Sequence, residues 1–340
     1  MALRQLEIGL VFALGITVAA VRDDLNRGLF QGGQCNEEAS ESLRLTFHDA
    51  IGISSSLTAS GQWGGGGADG SIVIFADVET AFEANNGIDE IINEQEPYLL
   101  RSNMSVADFV QFAGAVGTAN CPGAPRLSVY IGRKDATQAS PNWLTPEPSY
   151  TVDTILNRFM DAGNITADEV VYLLASHSIA FQSKIDPTVP YTPLDSTPNV
   201  FDTQFYVETQ LTGITWAGNT SVLGESMSPI PGEFRLQSDY AFARDPRTAC
   251  EWQSMVDNQT KMQQMFAAAY TKMSLLGQNV DDLIDCSEVI TSLTSNTVLP
   301  AFLPAGKTAE DIDQACPDTA YPSLTVQPGP AISIPPIQTA

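Results

Sequence analysis

Histidine is nearly absent from this chain: 340 residues carry two, His48 and His177. A hydrolytic zinc site needs a close histidine pair or an HExxH run, and neither occurs, which excludes that chemistry. Basic residues are also few, 16 Lys and Arg against 40 Asp and Glu, for a formal charge of −24. Nucleic acid and anionic membrane surfaces are bound through clustered Lys and Arg, so both are excluded as partners. Of the five cysteines, Cys35, Cys121, Cys250, Cys286 and Cys316, no two form a CxxC. Zinc-ribbon, iron–sulfur and covalent c-type haem sites therefore fall away. No internal repeat is present.

What is there describes a globular chain long enough for one large core or two medium ones. The acidic balance suits small neutral or cationic partners, metal ions included. Residues 1–20, MALRQLEIGLVFALGITVAA, combine Arg4, an apolar run interrupted by Glu7, and a Val18-x-Ala20 cleavage pattern. They read as a secretory signal, too short to span a membrane well. Four N-glycosylation sequons, at Asn103, Asn164, Asn219 and Asn258, agree with an extracellular destination. In an oxidising compartment the cysteines are expected to pair.

The chain reads as mainly helical. Helices are expected at 22–30, 37–51, 73–83, 86–96, 105–118 (Ser105 as N-cap), 151–161, 167–180, 237–244, 248–276 and 308–315. A Gly/Ser-rich loop fills 52–71 and a Pro-rich irregular stretch 121–150, with RLSVYIGR as a short extended piece. The proline-rich 184–200 segment reads as loop, and a Pro-rich tail closes the chain.

Two helices carry the chemistry. In EEASESLRLTFHD, Glu37, Glu41, Arg44 and His48 fall within roughly 60° of helical arc and form one stripe. In TADEVVYLLASHSIAF, Thr166 and Glu169 make a capping box ahead of an apolar run that carries His177. A lone buried histidine is most often a core residue hydrogen-bonded to backbone. Two of them, each on a strong helix, admit a second reading in which both face one ligand from opposite sides.

LRLTFHDA with GGGGADGS downstream, and LLASHSIA with LDSTPNVFD downstream, resemble the fungal secreted class II haem peroxidases. That group includes the manganese, versatile and lignin peroxidases. The resemblance runs from about Val21 to the C-terminus. It implies a mainly α, two-domain fold with haem b sandwiched between a distal half (21–150) and a proximal half (151–300), followed by a tail over 301–340. It implies His177 as the iron ligand and Asp239 as its partner; periodicity alone does not single out Asp239. It gives His48 the acid–base work on hydrogen peroxide, Arg44 the developing charge, Phe47 part of the haem face, and Asn85, backed by Glu79, the His48 tautomer. Two Ca²⁺ sites are implied: Asp49, Gly67, Asp69 and Ser71 on the distal side, and Ser178, Asp195, Thr197, Val200 and Asp202 on the proximal side. On the residues alone, these DxS and DxT loops read as turn caps. The implied disulfides are Cys35–Cys121 and Cys250–Cys316, with Cys286 unpaired. In the family its partner lies in a cysteine-rich N-terminal segment that this chain lacks; a lost bridge typically costs a few kcal/mol.

The chain departs from the family's pattern at the sites that choose reducing substrates. Glu37 and Glu41 match two of three acids that hold Mn²⁺, while the third position is Ser183, with Asp186 nearby. A hydroxyl in place of a carboxylate predicts weaker Mn²⁺ binding. Tyr172 stands where a surface tryptophan passes electrons to bulky aromatics; it reads either as a radical site or as a packing residue. Leu194 replaces an aromatic beside the proximal ligand. The expectation is a secreted, monomeric peroxidase acting on Mn²⁺, phenols or lignin-derived aromatics. The alternatives are a generic phenol-oxidising peroxidase, or a non-catalytic protein stabilised by calcium.

Overall fold

The computed structural model describes residues 17–216, 222–291, 298–331 and 333–338. Two compact units emerge. The first comprises residues up to 120, with 126–144 and 271–294; the second comprises 121–125, 145–270 and 295 to the end. A single border near 150 follows chain order, but spatially the 271–294 segment returns to the first unit. Sequon Asn219 and most of the leader-like stretch lie outside the described residues. Residues 17–27 form the first described helix, extending N-terminally beyond the expected start, with Val18, Val21 and Leu25 buried. Among the described residues no helix is long and apolar enough to cross a membrane.

In the first unit the central helix, Glu37–Ala50, starts because the Asn36 side chain accepts from Ala39 N. It lies close against the Val106–Ala119 helix, which Ser105 caps as expected. The close approach depends on two glycines. A Cβ on Gly114 would meet Thr46 Cγ2 at 2.2 Å, and one on Gly117 would meet Ala39 Cα at 3.0 Å. Leu45 packs into a buried cluster with Ile72, Ile88, Ile91, Ile92 and Val110. Arg133 and Asp108 pair at 3.1 Å in the interior, and Asp108 also accepts from the Gly132 and Arg133 amides. The extended piece expected at RLSVYIGR (126–133) shrinks to Tyr130–Ile131, antiparallel to Ile284–Asp285.

Several expected helices are shorter or broken. The 73–83 stretch is two short helices, Ser71–Ile74 and Ala76–Glu79, interrupted at Phe75, whose φ of −113° and ψ of 38° leave the helical region. The next begins with a 3₁₀ turn, Glu83–Asn85, and becomes regular over Ile88–Ser102. The 52–71 loop holds a short helix, Ser55–Ala59, capped by Ser54.

In the second unit, Val152–Gly163 is capped by Thr151, and Ala167–Leu173 carries the expected Thr166/Glu169 capping box. The α-helix expected to 180 instead ends at Leu173 and tightens into a 3₁₀ segment, Leu174–Ile179. The 248–276 stretch is two helices, Ala249–Met255 and Gln259–Ser274, separated where Asp257 takes a left-handed φ of 54°. Gln237–Phe242 matches its expectation, Gln204–Glu208 was not anticipated, and 308–315 contains only the turn Ala309–Asp311. The tail is bound to its unit: Phe302–Leu303 pairs in parallel with Thr325–Val326, and Ile334 N and Ile337 N donate to the Pro231 and Tyr191 carbonyls. Gly232 makes room for it with a φ of 84°; a Cβ there would meet Ile334 O at 2.0 Å. Cys250 and Cys316 form a disulfide, Cys35 and Cys121 are each disulfide-bonded, and Cys286 is a buried free thiol.

Candidate active site

His48 sits in the last turn of the Glu37–Ala50 helix, buried. Its Nδ1 lies 2.8 Å from Asn85 Oδ1, and Asn85 Nδ2 donates to the Glu79 main-chain carbonyl at 2.9 Å. These two contacts decide the tautomer. A carbonyl only accepts, so the amide nitrogen of Asn85 must face Glu79 and its oxygen must face the ring. Nδ1 therefore carries the hydrogen, and the lone pair is on Nε2. Burial, and then the charge of Arg44, push the His48 pKa down to about 3, so the ring is a neutral base across ordinary pH. Arg44 Nη2 donates to the Asn86 carbonyl at 3.0 Å. The Phe47 ring meets His48 edge-on, with centroids 5.5 Å apart.

Glu79 backs Asn85 through its main-chain carbonyl. Its carboxylate instead accepts from Ser140 N at 2.8 Å, and burial raises its pKa to about 7. Ser140 also touches Ser71 Oγ at 3.1 Å and donates to the Gly52 carbonyl. No local pattern marks Ser140, because its partners are 61 to 88 residues away.

His177 lies in the 3₁₀ segment of the second unit. Its Nδ1 is 2.9 Å from Asp239 Oδ2. With the carboxylate oxygen as acceptor, Nδ1 carries the hydrogen and Nε2 is left as the free ring nitrogen. The Phe205 ring stands edge-on to His177 at 5.6 Å, backed by Trp252 and Tyr206. Trp252 and Tyr206 are fixed by hydrogen bonds to the Tyr206 and Val171 carbonyls. These aromatics carry no motif and escaped the sequence reading.

The two residue sets that the resemblance implies for Ca²⁺ are both acid-rich and under-neutralised. Asp49 Oδ1 and Asp195 Oδ2 are buried with no hydrogen-bond partner among the described residues. Burial and then Asp69 raise Asp49 well above the carboxylate range; burial, Asp202 and Glu208 do the same to Asp195. Buried carboxylates crowded in this way fit a bound dication. Ser71 N donates to Asp69 Oδ1, and Gly67 holds the loop with a φ of 78°. In the second unit, Thr197 Oγ1 donates to Asp202 Oδ1 at 3.1 Å, and Val200 N closes a turn onto the Thr197 carbonyl. The pairing of Phe181–Gln182 with Thr192–Pro193 links the Ser178 segment to Asp195, and Leu194 packs with Phe234 and Leu236.

The residues at the expected substrate-choosing positions each have a local setting of their own. Glu37 is half-buried and Glu41 buried, both on the His48 helix. Ser183 Oγ accepts from Tyr191 N at 3.0 Å. Buried Asp186 caps its own loop, with Oδ1 accepting from Thr188 N at 2.9 Å and Thr188 Oγ1 at 2.6 Å. Tyr172 is half-buried; burial and then a hydrogen bond to Glu251 raise its pKa.

The sequence itself carries the resemblance further. Residues 21–258 match the family described as Peroxidase, and 261–339 the Fungal peroxidase extension region. The chain is 57% identical to Manganese peroxidase 3 of Phlebia radiata over 328 residues, covering 96% of this chain and 90% of that one. It is 53% identical to Versatile peroxidase VPS1 of Pleurotus eryngii over 319 residues (93% and 86%). With Ligninase H2 of Phanerodontia chrysosporium the figure is 50% over 314 residues (92% and 84%). The chain belongs to the fungal class II peroxidase family and is a haem peroxidase.

Proposed function

We propose that this chain uses hydrogen peroxide to oxidise Mn²⁺ and lignin-type aromatics in one-electron steps. Two anchored imidazoles carry the reading, each with Nδ1 tied down and Nε2 left as the working atom. His177 would hold the iron of haem b, and the Asp239 carboxylate would increase the imidazole's donation to it. Bound there, haem supplies the iron that accepts the two oxidising equivalents of peroxide. His48 Nε2 takes a proton from one peroxide oxygen and returns it to the departing oxygen. Arg44 balances the negative charge that develops as the O–O bond breaks. Asn85 keeps the lone pair on the working nitrogen. Calcium at Asp49 and Asp195 would pin the two histidine segments, since Asp49 follows His48 directly and Ser178 follows His177. The protein is read as a secreted glycoprotein monomer.

For the reducing substrate, Glu37 and Glu41 support a two-carboxylate Mn²⁺ site, weaker than one with a third acid because Ser183 is bonded to Tyr191 and Asp186 to Thr188. The relatives named for manganese, versatile and ligninase activity support both substrate classes. Side-by-side, peroxide-dependent oxidation of Mn²⁺, a simple phenol and a non-phenolic aromatic tests this reading. Mn²⁺ turnover is expected, with a KM that falls about tenfold in Ser183→Asp. A wild-type enzyme inert to Mn²⁺ and unresponsive to that substitution would leave the phenol-oxidising alternative.

A further inference from the structure

Gln204, buried in the second unit, ties the loop read above as a Ca²⁺ site to the C-terminal segment. Its main-chain N donates to Asp202 Oδ1 at 2.9 Å. Its side chain works in both directions. Nε2 donates to Glu208 Oε1 at 2.8 Å and to the Phe302 carbonyl at 3.0 Å, while Oε1 accepts from Phe302 N at 3.2 Å. Only one setting of the amide satisfies these partners, because a flip would turn its NH₂ against the Phe302 N–H. Glu208, fully buried, grips the same loop: its carboxylate accepts from Ser196 N at 2.7 Å and from Ser196 Oγ at 2.6 Å. Ser196 stands between Asp195 and Thr197. Farther on, Asp313 N donates to the Gln210 carbonyl and Thr212 N to the Asp311 carbonyl. Residues 302–313 are thus bonded to the 204–212 stretch at both ends.

We propose that Gln204 and Glu208 are positioning residues that make the C-terminal segment part of this cation site, so that Ca²⁺ binding and docking of residues 302–313 stabilise each other. The inference rests on the Ca²⁺ reading above. Without a cation, Asp195 and Asp202 crowd two buried carboxyl groups into one loop, a cost relieved when the loop opens to water. Opening it displaces Gln204, whose main chain holds Asp202, and so removes the partner of Phe302. The parallel pairing of Phe302–Leu303 with Thr325–Val326 then loses its anchor, and a two-residue pair is marginal by itself. The coupling runs equally in reverse. A segment that lifts away frees the Gln204 amide, loosens its hold on Glu208 and the Ser196 turn, and lowers Ca²⁺ affinity by the same factor.

Lys307 supplies the readout, because it is the last Lys or Arg of the chain and lies inside this segment. The haem-loaded, full-length protein is exposed to a lysine-specific protease that needs no Ca²⁺, with Ca²⁺ present and after chelation. Cuts are quantified by mass spectrometry after reduction of the Cys250–Cys316 bridge. Chelation should speed cleavage at Lys307 about tenfold relative to Lys261 in the same unit, and added Ca²⁺ should restore protection. In Gln204→Met, cleavage at Lys307 should be fast with or without Ca²⁺, and calorimetry should show affinity about tenfold lower at one Ca²⁺ site. Cleavage at Lys307 indifferent to chelation, in a wild type that binds Ca²⁺ by calorimetry, would overturn the proposal and leave the Ca²⁺ reading intact. Wild-type Ca²⁺ affinity in Gln204→Met would do the same. A wild type that binds no Ca²⁺ would overturn both.

Discussion

His48 and His177 are held alike, and the proposed function sets them to different work. Each has Nδ1 within 2.9 Å of an oxygen from a residue distant in sequence. In the first unit that oxygen belongs to a neutral amide, locked by the Glu79 carbonyl. In the second it belongs to the buried carboxylate of Asp239. An amide fixes a tautomer without adding charge, so His48, buried beside Arg44, remains a weak, neutral base that can take a proton and give it back. A carboxylate fixes the tautomer and also pushes electron density through the ring, which suits a metal ligand. The oxygen bonded to each ring, more than histidine itself, separates the proposed acid–base residue from the proposed ligand.

Three perturbations sharpen the contrast. Replacing His48 with Ala removes the proton carrier, and stopped-flow measurement should show peroxide activation slowed by roughly 10²–10⁴-fold with haem retained. An unchanged rate would take the acid–base role from His48. Replacing Asn85 with Ala leaves the ring but frees its tautomer; the same measurement should show a loss of about 10–100-fold, the usual cost of removing an orienting partner. Equal losses in the two variants would mean that Asn85 does more than orient. The smallest effect expected is from chelation. Removing Ca²⁺ would leave Asp49 and Asp195 without counter-charge, so the thermal midpoint should fall by at least about 4 °C and recover on adding Ca²⁺ back. A midpoint indifferent to chelator would mean that the buried acids stand without a cation.

The helix starts were readable because caps are local: Ser105, Thr151 and Thr166 each bond an amide three residues on. The breaks were not. The tightening at Leu174, the stop at Phe75 and the left-handed Asp257 occur without Gly or Pro, so no local residue type announced them. The site divides in the same way. His48, Arg44 and His177 are visible as scarce residues on strong helices, and the family resemblance supplied Asn85 and Asp239. Ser140, Phe205 and Trp252 act through contacts between distant segments, where sequence spacing is silent. Asp186 lies near Ser183 in sequence, and only the structure shows that its carboxylate caps Thr188.

The division of labour between the two imidazoles is tested most directly by haem titration followed through the Soret band. Wild type and His48→Ala should take up haem stoichiometrically, whereas His177→Ala should lose the band on gel filtration and regain it when imidazole is supplied. A His177→Ala protein that keeps a wild-type Soret spectrum, or a His48→Ala protein that loses it, would contradict the assignment.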